Sequence, residues 1–62
     1  MALSLRAMRI NLNKSADEVA DYVGVAKKTI YKWENDTQTL YKAKLENVLK
    51  LCKLYGISVN DL

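Results

Sequence analysis

The sequence predicts an all-α fold, and three observations predict it. Half of the 62 residues are apolar, there is no Pro, and only 2 Gly interrupt the chain. Ser15 and Glu18 form an S-x-x-E box, the pattern in which two side chains satisfy each other's free backbone N–H at a helix start. Ala20, Gly24 and Ile30 then put a small residue, a turn residue and a branched apolar residue at spacings that cross two helices. A chain this short makes one domain, residues 1–62, and such a domain buries only about 60% of its unfolded surface. A sizeable substrate cleft does not fit in it.

Ser4 can cap a first helix running to about Leu12, with Leu5, Met8 and Leu12 at helical spacing. Asn11, Asn13 and Lys14 break that pattern. The capping box starts the second helix at Ala16, and Asp17 and Glu18 suit the positive end of its dipole. Gly24 stops it near Val23 by taking the left-handed conformation. The third helix runs from about Lys27 to Glu34, with Ala26 as a poor cap and Val25 and Ile30 at staple positions.

From Asn35 to Thr39 the chain reads as a polar connection, with Thr37 or Thr39 as caps. Leu45, Val48, Leu49 and Cys52 give an i, i+3, i+4, i+7 stripe, so these four are the expected core of the last helix. One helix or two between residues 39 and 55 both fit the pattern. Gly56 is the natural C-cap, and Ser58 to Asp61 can open a final turn.

Composition excludes several functions. One Cys and no His leave no disulfide framework, no multi-Cys zinc site and none of the usual general-base chemistry. No nucleophile–base pair or phosphate loop is visible, so an enzyme is not expected, nor any metal or cofactor. No apolar run approaches the ~18 residues of a membrane span. The N-terminal segment, broken by Arg6 and Arg9, lacks a signal-peptide core, and the expected location is the cytoplasm. Ten basic against 7 acidic residues give a net charge of +3, a mild excess that favours an anionic partner.

At about 100° per residue, Lys27, Lys28, Tyr31 and Lys32 share one arc of the third helix, while Ile30 and Trp33 face the other way. Trp33 therefore belongs to the core, as does Cys52. Tyr22, Tyr41 and Tyr55 read as packing or boundary residues. For the lysines, the plain alternative to a binding surface is a solvated basic face.

The window ADEVADYVGVAKKTIYKWEN, residues 16 to 35, resembles the helix-turn-helix of the phage repressor and Cro family, the XRE-like bacterial one-domain regulators. The likeness extends from Leu5 to Leu62, with LRAMRIN similar to the family's first helix and ISVNDL to its usual ending. It implies a lambda repressor-like bundle of four or five helices, with the third helix in the DNA major groove. The family uses positions matching Ala26, Lys27, Lys28, Thr29 and Lys32 for base or phosphate contacts. Lysine can donate to guanine O6 and N7, and Tyr31 can meet a thymine methyl or a phosphate. Ala16 stands where the family commonly has Gln, which leaves its backbone N–H for a phosphate. Arg9 and Glu34 match a frequent ion pair between the first and third helices that would aim Arg9 at the DNA backbone.

The family's Gly after Trp33-Glu34-Asn35 is Asp36 here, the following Pro is absent, and the connection reads as longer. The resemblance implies a sequence-specific regulator of phage or prophage type, bound to double-stranded DNA at a pseudo-palindromic operator as a homodimer. Without a separate dimerisation domain, Ile57, Val59 and Leu62 are the dimer residues expected by position. The rival readings are the antitoxin of a toxin–antitoxin pair and a protein-interaction module that has lost DNA binding.

Overall fold

Local hydrogen bonding sets where each helix begins and ends. The computed structural model describes residues 4–62; the first three positions of the expected domain lie outside the described residues. Among the described residues the chain forms five α-helices and a short 3-10 turn, with no strand. Helix α1 spans Leu5–Asn11, and Ser4 Oγ accepts from the Ala7 N–H at 3.1 Å. Asn13 then takes the left-handed conformation at φ 57° and turns the chain toward Ser15. Helix α2, Ala16–Val23, opens on the expected box: Glu18 N–H donates to Ser15 Oγ at 3.1 Å and Ser15 N–H to Glu18 Oε1 at 3.0 Å. The same bonds lower the Glu18 pKa.

Gly24 closes α2 at φ 89°, where the N–H groups of Gly24 and Val25 both reach the Ala20 carbonyl, at 2.8 and 3.0 Å. Helix α3, Lys27–Asn35, follows after only Val25 and Ala26, and Ala26 supplies no side-chain cap. Helix α4 is Thr37–Tyr41, helix α5 is Leu45–Tyr55, and the 3-10 turn is Val59–Asp61. Gly56 ends α5 at φ 69°, with the Ile57 N–H on the Cys52 carbonyl at 3.0 Å. Ser58 and Asp61 then box the last turn, as their spacing predicts.

Three expectations need correction. The stretch Asn35 to Thr39 is not a polar connection: α3 runs through Asn35, and Asp36 alone separates it from α4. Asp36 Oδ1 accepts from the Gln38 N–H at 3.0 Å, and the Thr39 hydroxyl donates to the Asp36 carbonyl at 2.6 Å. The cap is thus Asp36, neither Thr37 nor Thr39. Its extended backbone, φ −144°, needs no glycine. Leu40 anchors α4 in the core at 1% exposure, and Lys42–Lys44 break the chain, so residues 39 to 55 lie in two helices.

The second correction is the face of α5. Val48, Leu51, Cys52 and Tyr55 are buried, whereas Leu45 and Leu49 are 67% and 48% exposed. Both stripes contain Val48 and Cys52, and helical spacing alone does not separate them. The stripe that wins carries Leu51 and Tyr55 onto the core shared with α2. Leu12, expected on the α1 face, is also exposed, and Arg9 takes its place among the buried residues.

Val19, Val23, Ile30, Leu40 and Leu51 form the centre of that core, with Trp33 and Cys52 around it. Fully burying one such aliphatic side chain stabilises by about 1.5–3 kcal/mol, enough to matter in a domain this small. Cys52 behaves as a small apolar residue, its thiol pKa raised by burial. Helix α3 packs on α2, α4 and α1, which leaves one side of it free.

A Cβ on Gly24 would meet no atom within 4 Å, so only backbone strain opposes a side chain there. Gly24→Ala should therefore cost about 1–2 kcal/mol, and Gly24→Val more. Urea denaturation of the two variants checks both the size and the order.

Candidate nucleic-acid interface

The free side of α3 is basic. Ala26, Lys27, Lys28, Tyr31 and Lys32 are exposed, Thr29 is half-buried, and Ile30 and Trp33 lie in the core on the opposite side. The short turn around Gly24 sets α3 against α2, so the first turn of α3 lies beside the start of α2. Lys27 Nζ approaches Asp17 Oδ2 at 3.6 Å there. Ala16, the first residue of α2, is buried as a whole residue at 2% exposure, so its methyl group offers no contact.

Arg9 lies behind this surface. Its Nε donates to Glu34 Oε2 at 2.6 Å and its Nη2 to Glu34 Oε1 at 3.2 Å, a two-pronged bond from α1 to α3. Nη1 donates to the Lys14 carbonyl at 3.1 Å and so also fastens the turn between α1 and α2. The two side chains keep only 11% and 4% of their exposure. Two parallel charge-assisted bonds answer the desolvation of both groups. The bond to Glu34 raises the Arg9 pKa above its ordinary value, against the opposing effect of burial. The Tyr55 hydroxyl is pushed up to about 12, first by burial and then by the Glu34 carboxylate.

Tyr31 connects the buried pair to the surface. The Arg9 guanidinium carbon lies 6.0 Å from the Tyr31 ring centroid, and Lys27 Nζ lies 5.9 Å from it. Both distances fall within the range over which a cation is drawn to an aromatic face. Glu34, Arg9, Tyr31, Lys27 and Asp17 therefore form a continuous row across three helices. The last link was not evident from the sequence, where Asp17 reads as a helix-start residue. Its signal is the ten-residue separation across a three-residue turn, which brings two helix starts together.

The structure thus gathers Ala26, Lys27, Lys28, Tyr31 and Lys32 on one surface and puts Arg9 and Ala16 behind it. A helix face with exposed lysines and a tyrosine suits an anionic, grooved ligand. Among the described residues no group of His, Cys, Asp or Glu is arranged to hold a metal ion. No helix there is long and apolar enough to cross a membrane.

Comparison with known proteins agrees with this geometry. Residues 5–62 match the family described as Helix-turn-helix. Over 58 residues the chain is 38% identical to the cryptic phage CTXphi transcriptional repressor RstR of Vibrio cholerae. That alignment covers 94% of this chain and 50% of the relative, so the chain spans about half of that protein's length. No solved structure matches.

The buried pair makes a sharp prediction. Glu34→Gln leaves the Arg9 charge uncompensated and should destabilise by about 3 kcal/mol. Arg9→Met combined with Glu34→Leu should recover much of that loss, because no buried charge remains. Urea melts of the single and double variants check it.

Proposed function

Because the chain belongs to the helix-turn-helix family, we propose that it is a sequence-specific double-stranded DNA-binding regulator of phage type, acting in the cytoplasm by occupying an operator. The observation that carries this reading is the exposed basic surface of α3 on a helix whose other side is fixed in the core. A helix about 10–12 Å across fits a B-DNA major groove about 12 Å wide. Blocking a site requires binding alone, and no catalytic residue is needed for it.

In this reading α3 enters the groove by its N-terminal turn. Lys27 and Lys28 read guanine O6 and N7, Tyr31 meets a thymine methyl or a phosphate, and Lys32, a turn further on, contacts a phosphate. Ala26 and Thr29 flank the base edges. The N-terminal end of α2, which the buried Ala16 opens, faces the DNA backbone, where a helix N-terminus favours an anion. We assign Arg9 to positioning α3 rather than to touching phosphate, because Glu34 and the Lys14 carbonyl hold its guanidinium.

A pseudo-palindromic operator calls for two copies with their recognition helices about 34 Å apart. Of the three residues expected by position, Ile57 and Leu62 pack partly against the core and Val59 is exposed, whereas Leu45 and Leu49 present exposed apolar surface on α5, with Tyr41 exposed on α4. The α4–α5 face is therefore the better dimer surface. Lys42, Lys44, Lys50 and Lys53 are exposed along the same stretch of chain, against one exposed acid, Glu46. Their repulsion opposes pairing in free solution and is relieved when DNA phosphates lie nearby. A standard interface would take about 800 Å² per partner, roughly a fifth of the 4178 Å² surface. The dimer accordingly forms on DNA.

Selection of bound fragments from random DNA, followed by fluorescence anisotropy at two salt concentrations, tests the reading. Selected half-sites should contain guanine, and Lys28→Ala should cost about 1–3 kcal/mol there and relax that preference. Lys32→Ala should weaken every sequence alike and flatten the log-affinity against log-salt slope by about one unit. Failure to select any sequence would refute it. For the dimer, Leu49→Asp should abolish cooperative filling of a two-half-site operator and leave binding to one half-site unchanged. Titration of full and half operators separates the two.

A further inference from the structure

We propose that Asp17 is a specificity-determining residue: its carboxylate holds Lys27 off the DNA phosphates and so reserves that ammonium for a base edge. The inference rests on the DNA-binding reading above and adds a residue that makes no favourable DNA contact of its own. Asp17 is the second residue of α2, beside the backbone N–H groups that would anchor a phosphate. Lys27 is the first residue of α3 and reaches Asp17 at 3.6 Å, with the Tyr31 ring 5.9 Å away. Tyr31 is in turn placed against the Arg9 guanidinium, which Glu34 fixes. The ammonium is thus restrained by an anion on α2 and an aromatic face on its own helix.

The consequence follows from what each kind of DNA offers. A free lysine ammonium on a flexible stem takes the nearest phosphate on any sequence, which adds affinity and no discrimination. In the reading above, the phosphate nearest Lys27 is the one at the N-terminus of α2, where the Asp17 carboxylate already engages the ammonium and competes with that phosphate for it. The two side chains are 52% and 67% exposed, so their attraction is weak and screened by salt. It biases the position of Lys27 only a few-fold. A guanine in the groove offers two acceptors and outcompetes that bias; a lone phosphate beside a carboxylate does not. Asp17 therefore lowers binding to random DNA more than binding to the operator.

Asp17→Asn keeps the size of the side chain and removes its charge. Anisotropy titrations on a selected operator and on a random duplex, each across a salt series, read the effect. The expected result is a roughly three- to fivefold fall in the operator-to-random affinity ratio. The random-DNA salt slope should steepen by about one unit, as one new phosphate contact forms. In a Lys27→Met background Asp17→Asn should leave the ratio unchanged, and Asp17→Glu should restore most of it. Circular dichroism confirms that each variant is folded. Equal gains on both duplexes would mean simple charge removal and would overturn the proposal. A ratio that falls equally with Lys27→Met present would overturn it too. If the unmodified protein bound neither duplex, the DNA-binding reading would fall, and this inference with it.

Discussion

Glu34 draws Arg9 out of solvent where α1, α3 and the turn after α1 meet, and the attitude of α3 depends on that bond. Apolar packing alone is permissive. Ile30 and Trp33 fill volume, and side chains of similar size could do so with α3 rolled a few degrees. A two-pronged bond between a guanidinium and a carboxylate is directional and allows far less roll. The Gly24 turn sets one end of α3, Ile30 and Trp33 hold its middle, and Glu34 fixes its last turn. With three such restraints, the exposed lysines sit on a helix that cannot rotate to hide them.

The charge row leading from this bond to the surface gives the start of α3 neighbours that its weak cap does not supply. Ala26 contributes no side-chain bond at the start of α3. The bias on Lys27 comes instead from neighbours in space: Tyr31 one turn along, and Asp17 across the gap to α2. Each link is modest alone. Their alternation of sign means that no charge in the row lacks a complementary neighbour.

Features set by local chemistry were legible in the sequence. The Ser15–Glu18 box, the left-handed Gly24 and Gly56, the starts of α2 and α3, and the burial of Ile30, Trp33 and Cys52 all follow from spacing and residue type. The misread features each involve a competition. Asp36 and the two nearby threonines can all cap a helix, and choosing among them requires knowing that Leu40 will be buried. The two α5 stripes share Val48 and Cys52, and only contact with α2 decides for Leu51 and Tyr55. Within the candidate site, the basic arc of α3 was legible because it lies on one helix. The Lys27–Asp17 contact was not, because it forms only after two helices have docked.

The single residue between α3 and α4 has a consequence for how the surface of α3 can change. Asp36 caps α4, its own N–H bonds to the Lys32 carbonyl, and the Thr39 hydroxyl reaches both backbones. The two helices therefore move as one bracket, and a loop mutation cannot re-tilt α3 without dislodging Leu40. In a chain built this way, a change in what α3 presents comes from exchanging the side chains displayed on a fixed frame. The arrangement resembles a type holder, in which the letters are changed and the press is left alone.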